Sequence, residues 1–226
     1  MDKNKNYLQL KKFALAQGLD LFGVAGIEAI KDEFMLSKEV LGKIDNAVSL
    51  GIRLSGGLLQ EIENAPTRLY FHHYRTANAI LDQIAFRVSW FIQNKGFLAV
   101  AIPASQILDW QNQKAHLSHK KIAQLAGLGW TGRNNLLVNK KYGCQLRLVT
   151  ILTDMPLKLD EPSKDNCADC RLCIEVCPAG AIREKPEEFD HLGCFEKLKE
   201  FQKRRLVDQF ICGVCVNACR GRKEKK

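Results

Sequence analysis

The sequence lacks any long apolar run. No stretch approaches the roughly 18 apolar residues that a membrane-spanning helix needs. The N-terminus reads MDKNKNYLQLKKFALAQG, with charges throughout and no uninterrupted apolar segment before a cleavage site, which does not fit a secretory signal. We therefore expect a cytoplasmic protein without a membrane segment.

Extremes of composition are absent as well. Hydrophobic residues make up 46% of the chain and charged residues 26%, close to the globular average, which argues against wholesale disorder and fibrous repeats. At 226 residues the chain can form one sizeable core and a small second domain. The polar, turn-rich stretch after Pro156 marks the change of character, and we predict domains over 1–160 and 161–226.

Helical and strand patterns alternate along the first of these domains. Apolar spacing predicts helices over 7–17, from Thr67 to Gly96, and from Ser118 onward. Strand-like runs lie between and after them, in LDLFGVAGI, NAVSLGIRL, FLAVAIPA and CQLRLVTILTDMPL, and FLAVAIPA is predicted to be a buried strand. The pattern predicts a layered α/β or α+β fold.

Cysteine, by contrast, is abundant. Nine cysteines in a reducing compartment are poor disulfide candidates and good metal ligands. Four of them form a C-x2-C-x2-C-x3-C-P run that starts at Cys167, and a C-x2-C-x3-C run that starts at Cys212 repeats its spacing. Cys194 stands as the displaced counterpart of Cys167, so the cysteine-rich domain is predicted to be an internal duplication.

Two-cluster ferredoxins give this duplication a chemical meaning. In them the C-x2-C-x2-C turn binds three corners of one cube, and the fourth cysteine, just before proline, ligates the other cube. By the same logic we predict one [4Fe–4S] cluster on Cys167, Cys170, Cys173 and Cys219 and a second on Cys177, Cys194, Cys212 and Cys215.

Other interpretations of the cysteines remain open at this point. One is a pair of structural zinc sites, although the cysteines of such sites are usually spaced less densely than in this run. The others are disulfides and unligated buried thiols. Cys144 is left over. It is either a small buried hydrophobe at the start of a strand or a residue placed against a cofactor.

The charge balance has two interpretations. The 34 Lys and Arg residues against 25 Asp and Glu give a formal charge of +9, which would suit an anionic partner such as nucleic acid. Each oxidised four-thiolate cluster carries about −2, so two of them would lower the total to about +5. The basic C-terminal run RGRKEKK is predicted to be solvated.

Several segments together match one family. The loop AGLGWTGRN is similar to the family's AGLGWxGK(N/H), the turn NKKYG to its NPEYG, and LTDMPL to its LTDLPL strand end, while the order of the eight cysteines is also similar. With a weaker similarity in GLDLFGVAGI, the chain resembles over most of its length the epoxyqueuosine reductases, which are iron–sulfur and cobalamin enzymes of queuosine biosynthesis. It resembles the reductive dehalogenases more distantly.

The resemblance implies a nitroreductase-like α/β domain that binds base-off cobalamin, beside a double-cluster, ferredoxin-like domain. Electrons would pass from the clusters to cobalt, and the cofactor would reduce the substrate. Glycines at 127, 129 and 132 would let the backbone approach a flat ring closely. The family's corrin-facing segments correspond here to Trp130, Gly132, Arg133, Asn134, Cys144 and Gln145.

The sequence also departs from the family pattern. Epoxyqueuosine-reducing members have an aspartate proton donor in (F/V)-x-D-(S/T)-A-P, whereas AVAIPASQILDW has none at that place and Asp109 lies in an insertion, so no catalytic residue is assigned. His116 and His119 are either helix-start polar residues or groups that donate a proton or ligate cobalt. Arg-Gly-Arg replaces Pro-Trp-Asn after Cys219, and the family's helical repeats are missing, which puts recognition of tRNA in doubt.

Two functions of different classes follow. The first is a corrinoid-dependent iron–sulfur reductase that acts on a small molecule or a modified nucleoside and receives electrons from a low-potential donor of the ferredoxin or flavodoxin type. The second is a non-catalytic electron-transfer protein without cobalamin. A third, an RNA-binding module that uses the basic tail, rests on charge alone.

Overall fold

The computed structural model describes residues 2–221. The chain divides into two compact units, each made of three segments. The first consists of Met1–Ile52, Asn78–Leu128 and Arg147–Ser163, and the second of Arg53–Ala77, Gly129–Leu146 and Lys164–Lys226. The last junction lies close to the boundary predicted near residue 160, while two earlier segments join the cysteine-rich part of the chain.

The elements of secondary structure have the following bounds. The helices are α1 (Lys3–Leu15), α2 (Lys38–Leu41), α3 (Gly56–Leu59), α4 (Arg68–Gln93), α5 (His119–Leu125), α6 (Leu172–Glu175), α7 (His191–Lys203) and α8 (Val214–Ala218). The strands are β1 (Leu21–Gly26), β2 (Asn46–Arg53), β3 (Ala99–Ile102), β4 (Trp130–Thr131), β5 (Leu137–Val138) and β6 (Leu146–Thr153). Two short 3-10 helices cover Glu28–Glu33 and Pro186–Glu188.

The first unit is built on a four-stranded sheet in the order β1-β2-β6-β3. Strand β1 pairs antiparallel with β2, with Leu21 opposite Gly51, and β3 pairs antiparallel with β6, with Ala99 opposite Thr153. The central strands β2 and β6 are buried over most of their length, as expected for strands covered on both faces. The predicted mixture of helices and strands is confirmed.

Strand β3 lies at the edge of this sheet and differs from its prediction. Of its four residues only Ile102 is buried, and Ala101 is exposed. The expectation of a buried strand is wrong here, because an apolar run alone does not distinguish an edge strand from a central one.

Helix α4 agrees with its sequence signals. The Thr67 hydroxyl accepts a hydrogen bond from the Tyr70 N–H at 3.1 Å, as a capping residue does, and the chain turns at Gly96 with φ of +87°. The buried residues of its later turns, Leu81, Ile84, Val88 and Ile92, join the main core of the first unit. Within residues 2–221 no helix combines the length and apolar character needed to cross a bilayer.

Asp160 links the last segment of the first unit to α1 and β1 by hydrogen bonds. Its carboxylate accepts hydrogen bonds from the Tyr7 hydroxyl at 2.9 Å and from the Val24 N–H at 2.9 Å, and its own N–H donates to the Val24 carbonyl. Burial and this carboxylate raise the pKa of Tyr7 to about 12. The bonds fix α1 and β1 to the segment that leads out of the sheet.

The second unit has little regular structure apart from short helices and the β4–β5 hairpin. Its parts are joined by side-chain bonds to backbone: Asn217 Nδ2 donates to Ile62 O at 2.9 Å, and Gln145 Nε2 donates to Asn217 O at 3.0 Å. Gly213, with φ of +87°, begins α8, and a Cβ there would lie 2.7 Å from the Tyr70 ring. This junction places Cys212 and Cys215 on either side of a fixed turn.

Candidate metal centre

The eight predicted ligand cysteines all lie in the second unit, on or beside short helices, and all are free thiols. Helix α6 carries Cys173 and is in contact with α8, which carries Cys215 and ends at Cys219. Cys194 lies on α7, a helix of 13 residues whose first turn is capped by the Asp190 carboxylate.

A first group of thiols surrounds Cys173. Burial raises the pKa of Cys173 to about 11, and the neighbouring sulfurs that raise it further are those of Cys219, Cys167 and Cys170. Cys219 is far from the other three in the sequence. The chain therefore brings a distant sulfur into the neighbourhood of the C-x2-C-x2-C turn.

A second group contains the remaining four. Burial raises the pKa of Cys212 to about 11, and the sulfurs that raise it further belong to Cys194 and Cys177. Cys194 is raised to a pKa of about 11 by burial and then by Cys177. For Cys215, burial raises the pKa most, followed by Cys212, Cys194 and Cys177.

The ligand sets expected from the cysteine spacing remain a prediction. Cys173 of the first group also raises the pKa of Cys215 in the second, so the groups are neighbours. Over residues 2–221, no three His, Cys, Asp or Glu side chains are close enough to hold a single metal ion.

Trp130 is directed at the first group. Its side chain is 4% exposed, and its Nε1–H donates a hydrogen bond to the Cys167 sulfur at 3.4 Å. The residue lies in β4 opposite Val138 of β5, so the hairpin fixes its backbone. A residue predicted to face a corrin ring contacts a predicted cluster ligand here.

Arg133 holds the turn that carries this ligand. Its two Nη atoms donate to the carbonyls of Ala168, at 2.8 Å, and Cys170, at 3.1 Å, and its Nε lies 3.5 Å from the Glu184 carboxylate. Ala168 has φ of +44°, a left-handed conformation that L-residues rarely adopt. The guanidinium thereby fixes a turn whose own backbone is strained.

Asn134 and Cys144 continue the same set of contacts. Asn134 is 3% exposed, and its Nδ2 donates to the Cys144 sulfur at 3.1 Å. The Cys144 thiol is hydrogen-bonded to Cys219, which lowers the pKa of Cys219 to about 6 and raises that of Cys144. Cys144 is therefore buried, as one interpretation expected, and it is also in contact with a predicted ligand.

The glycines of this segment are close to the protein's own backbone. A Cβ on Gly129 would lie 2.1 Å from the Val138 carbonyl oxygen, one on Gly132 would lie 2.5 Å from a Val138 methyl, and one on Gly127 would lie 2.5 Å from the Glu161 carbonyl oxygen. Internal packing is enough to explain why these three positions lack a side chain. The close approach expected for a corrin ring is made here by neighbouring chain segments.

A small cleft lies beside Cys167. It has a volume of about 180 Å³ and is lined by Thr131, Arg133, Asn166, Cys167, Ala168, Glu184 and Pro186. Pockets for drug-sized ligands measure about 300–1,000 Å³, so this cleft is too small for a corrin.

Comparison with known proteins adds to this geometry. A family model described as "4Fe-4S binding domain" matches residues 161–183, which include Cys167, Cys170, Cys173 and Cys177. The epoxyqueuosine reductase of Leadbetterella byssophila is 25% identical over 239 residues, covering 93% of this chain and 78% of that protein. Over most of its length this chain is similar to epoxyqueuosine reductases.

Solved structures share the fold. An epoxyqueuosine reductase bound to an epoxyqueuosine-modified tRNA-Tyr stem loop matches 85% of this chain with a TM-score of 0.63 and 19% identity. The catabolic reductive dehalogenase NpRdhA matches 81% with a TM-score of 0.70 and 21% identity. The chain spans 56% of the first of these proteins and 26% of the second.

The two histidines that could donate a proton, His116 and His119, lie in the first unit, and His116 Nδ1 is hydrogen-bonded to the Met35 carbonyl at 3.2 Å. Both His119 ring nitrogens are bonded, Nδ1 to the Thr150 hydroxyl at 2.8 Å and Nε2 to the Pro103 carbonyl at 2.9 Å, and burial lowers its pKa to about 4. Hydrogen bonds from Asn112 lower the pKa of Asp109. The His119 ring therefore stabilises the fold through its two hydrogen bonds. Because the pKa of Asp109 is lowered, its carboxyl is deprotonated at neutral pH and has no proton to donate.

Sequence reasoning did not foresee what the loop Trp130–Asn134 contacts. The resemblance assigns these residues to corrin-facing segments. In the structure their side chains bond to the turn around Cys167 and to Cys144. The sequence did contain one chemical indication of these contacts. Arginine and tryptophan side chains are hydrogen-bond donors that suit the carbonyls and thiolates of a cysteine-rich turn. Their partners could be identified only from the folded chain.

Proposed function

We propose that this chain is an iron–sulfur reductase that binds two [4Fe–4S] clusters and passes electrons from them to a base-off cobalamin, which reduces a substrate. The observation that carries the proposal is that all eight cysteines lie in the second unit, where Cys219 raises the pKa of Cys173 and Cys177 raises that of Cys212. Thiolate sets of four are the usual ligands of such clusters.

The residues of the second unit would hold the clusters. Cys167, Cys170, Cys173 and Cys219 would bind the first, and Cys177, Cys194, Cys212 and Cys215 the second. Contact between α6, which carries Cys173, and α8, which carries Cys215, supports a short path between the two sites. Arg133 would keep the turn of the first cluster in place, and the low-potential donor would be of the ferredoxin or flavodoxin type.

Cobalamin enters the proposal through the relatives and not through side chains. When bound, it would supply a strongly reducing cobalt centre. The side chains of Trp130, Arg133, Asn134, Cys144 and Gln145 bond to other parts of the second unit and do not form a donor set for a corrin. We therefore derive no chemical step through the cofactor, and propose only that the nitroreductase-like domain predicted over 1–160 binds it.

The proposed substrate is a small molecule or a modified nucleoside. One structural relative is described in complex with an epoxyqueuosine-modified tRNA stem loop, which supports a nucleoside substrate for this chain as well. The predicted basic run at the end of the chain, RGRKEKK, lies outside the described residues from position 222 onward. Recognition of a whole tRNA is not part of the proposal.

A second candidate is an electron-transfer protein without cobalamin. The bonding of the predicted corrin-facing side chains to the cysteine-rich part favours it, because those residues then have a structural task that needs no corrin. Both candidates share the two clusters and differ only in the acceptor of the electrons.

One anaerobic experiment separates these possibilities. Purified or reconstituted protein is assayed for iron, acid-labile sulfide and zinc, and hydroxocobalamin is then added under reducing conditions while the visible spectrum is recorded. The reductase predicts about eight irons per chain and a base-off cobalamin spectrum. Eight irons without a cobalamin shift would support the electron carrier, and zinc without sulfide would refute both.

A further inference from the structure

We propose that the indole N–H of Trp130 is a hydrogen-bond donor to a ligand sulfur of the first cluster, Cys167, and raises the reduction potential of that cluster. The inference rests on the proposed function, because it requires Cys167 to be a cluster ligand. In this role Trp130 would hold the Cys167 sulfur in position and stabilise negative charge on the cluster.

The donor has little freedom to turn away. Trp130 is 4% exposed, and its backbone is held in the β4–β5 pair opposite Val138. The preceding Gly129 is so close to Val138 that a Cβ would lie 2.1 Å from its carbonyl oxygen. A buried indole N–H is donor only and normally has a partner, which here is the Cys167 sulfur at 3.4 Å.

The acceptor is held in place by the same loop. Arg133, three residues after Trp130, bonds to the carbonyls of Ala168 and Cys170 on the turn that contains Cys167. The Ala168 N–H donates to the Asn166 side chain at 2.8 Å, which closes the turn from its other end. Donor and acceptor thus lie on two segments that are tied together next to the bond.

The sign of the effect follows from electrostatics. Reduction adds one electron to a cluster that is already negative, and part of that charge is carried by the ligand sulfurs. A fixed N–H dipole directed at a sulfur stabilises the reduced form more than the oxidised form, and hydrogen bonds to sulfur are among the factors that set cluster potentials. Loss of the donor should therefore make reduction of the first cluster harder.

The test compares Trp130→Phe with the native chain, both containing their clusters. Phenylalanine keeps an aromatic ring in the buried position and removes the N–H. Trp90→Phe is the matched control, because Trp90 is 61% exposed on α4 and its loss removes an indole elsewhere. Each protein is titrated with dithionite under redox mediators and followed by electron paramagnetic resonance.

We expect one of the two reduction steps to move to more negative potential in Trp130→Phe, while the other step and Trp90→Phe stay at the native values. The shift should correspond to a change of a few-fold to tenfold in the equilibrium between oxidised and reduced cluster, and tenfold is about 59 mV for one electron. Two clusters with unchanged potentials in Trp130→Phe would overturn the inference and leave the proposed function intact.

A second measurement tests the hydrogen bond in the native protein, in case Trp130→Phe fails to bind its cluster. Native protein grown with 15N-indole tryptophan is reduced, and hyperfine coupling to the nitrogen is measured on each cluster signal. Coupling on one signal, absent from Trp130→Phe if that variant assembles, supports the hydrogen bond, and its absence from both signals of the native protein refutes it. A native protein without two cluster signals would refute the proposed function, and the inference with it.

Discussion

Replacement of Arg133 by methionine should loosen the first cluster selectively. The guanidinium makes two hydrogen bonds, at 2.8 and 3.1 Å, to carbonyls of the ligand turn, and its side chain is 14% exposed. Hydrogen bonds from a charged donor contribute about 1.5 kcal/mol each at the lower end, so the two contribute about 3 kcal/mol. The ion pair with half-exposed Glu184 adds less than about 1 kcal/mol.

A loss of about 3 kcal/mol corresponds to roughly a hundredfold change in the equilibrium between the ordered and the open turn, because each 1.4 kcal/mol is a factor of ten. The assay is the rate at which an iron chelator removes iron from anaerobic protein, followed with the paramagnetic signals of both clusters. We expect the first cluster to be lost up to a hundredfold faster in Arg133→Met, while the second is retained.

Two variants serve as controls for this prediction. Arg171→Met also removes a partner of Glu184, at 3.0 Å, but Arg171 is 62% exposed on its side chain, so iron loss should stay near the native rate. Arg133→Lys keeps the charge but lacks the planar fork that reaches two carbonyls, and should give an intermediate rate. Native iron loss in Arg133→Met, or equal loss from both clusters, would refute the assigned role.

Three further predictions concern other parts of the chain. Cys177→Ser should remove the second cluster and leave about four irons in the first, measured by iron analysis and paramagnetic resonance; loss of the first cluster alone would contradict the exchange of ligands. His119 has a pKa of about 4 against 6.5 in the unfolded chain, so the native protein should lose up to about 3 kcal/mol of unfolding free energy as pH falls from 6.5 toward 4, relative to His119→Gln; parallel pH profiles in denaturant would exclude this. Tyr7→Phe, which removes a hydroxyl bonded to Asp160, should cost about 1 kcal/mol at neutral pH. Because the pKa of Tyr7 is raised to about 12, the hydroxyl stabilises the fold fully below pH 10 and loses this effect as pH rises through 12. The difference in unfolding free energy between the native protein and Tyr7→Phe should therefore narrow at that pH.

Local signals were sufficient for the regular elements of the first unit. Proline, threonine and glycine define the range of α4, and Ser118 caps α5, because caps and breakers act on the residues next to them. The edge position of β3 depends on which strands pair beyond it, so its apolar run could not reveal its exposure. The strand-like run NNLLV predicts a strand where β5 lies, whereas β4, with only two residues, is too short for a periodic signal.

The match of residues 161–183 to a 4Fe-4S binding domain could be predicted, because the C-x2-C-x2-C-x3-C-P spacing is local to one segment. The contacts around these cysteines could not. Neither the bond from Trp130 to Cys167 nor the chain of contacts from Asn134 through Cys144 to Cys219 follows from any periodicity, because each joins residues distant in the sequence. The inclusion of 53–77 and 129–146 in the second unit is hidden for the same reason.

The position of Cys219 beside Cys173 has a consequence for biosynthesis. Under the proposed ligation, the first cube lacks one of its sulfurs until Cys219 has emerged from the ribosome, 46 residues after Cys173. Cofactor insertion would then wait for this distant segment, and a scaffold protein that delivers iron and sulfide would meet a chain that has already folded back to bring Cys219 to the first three ligands.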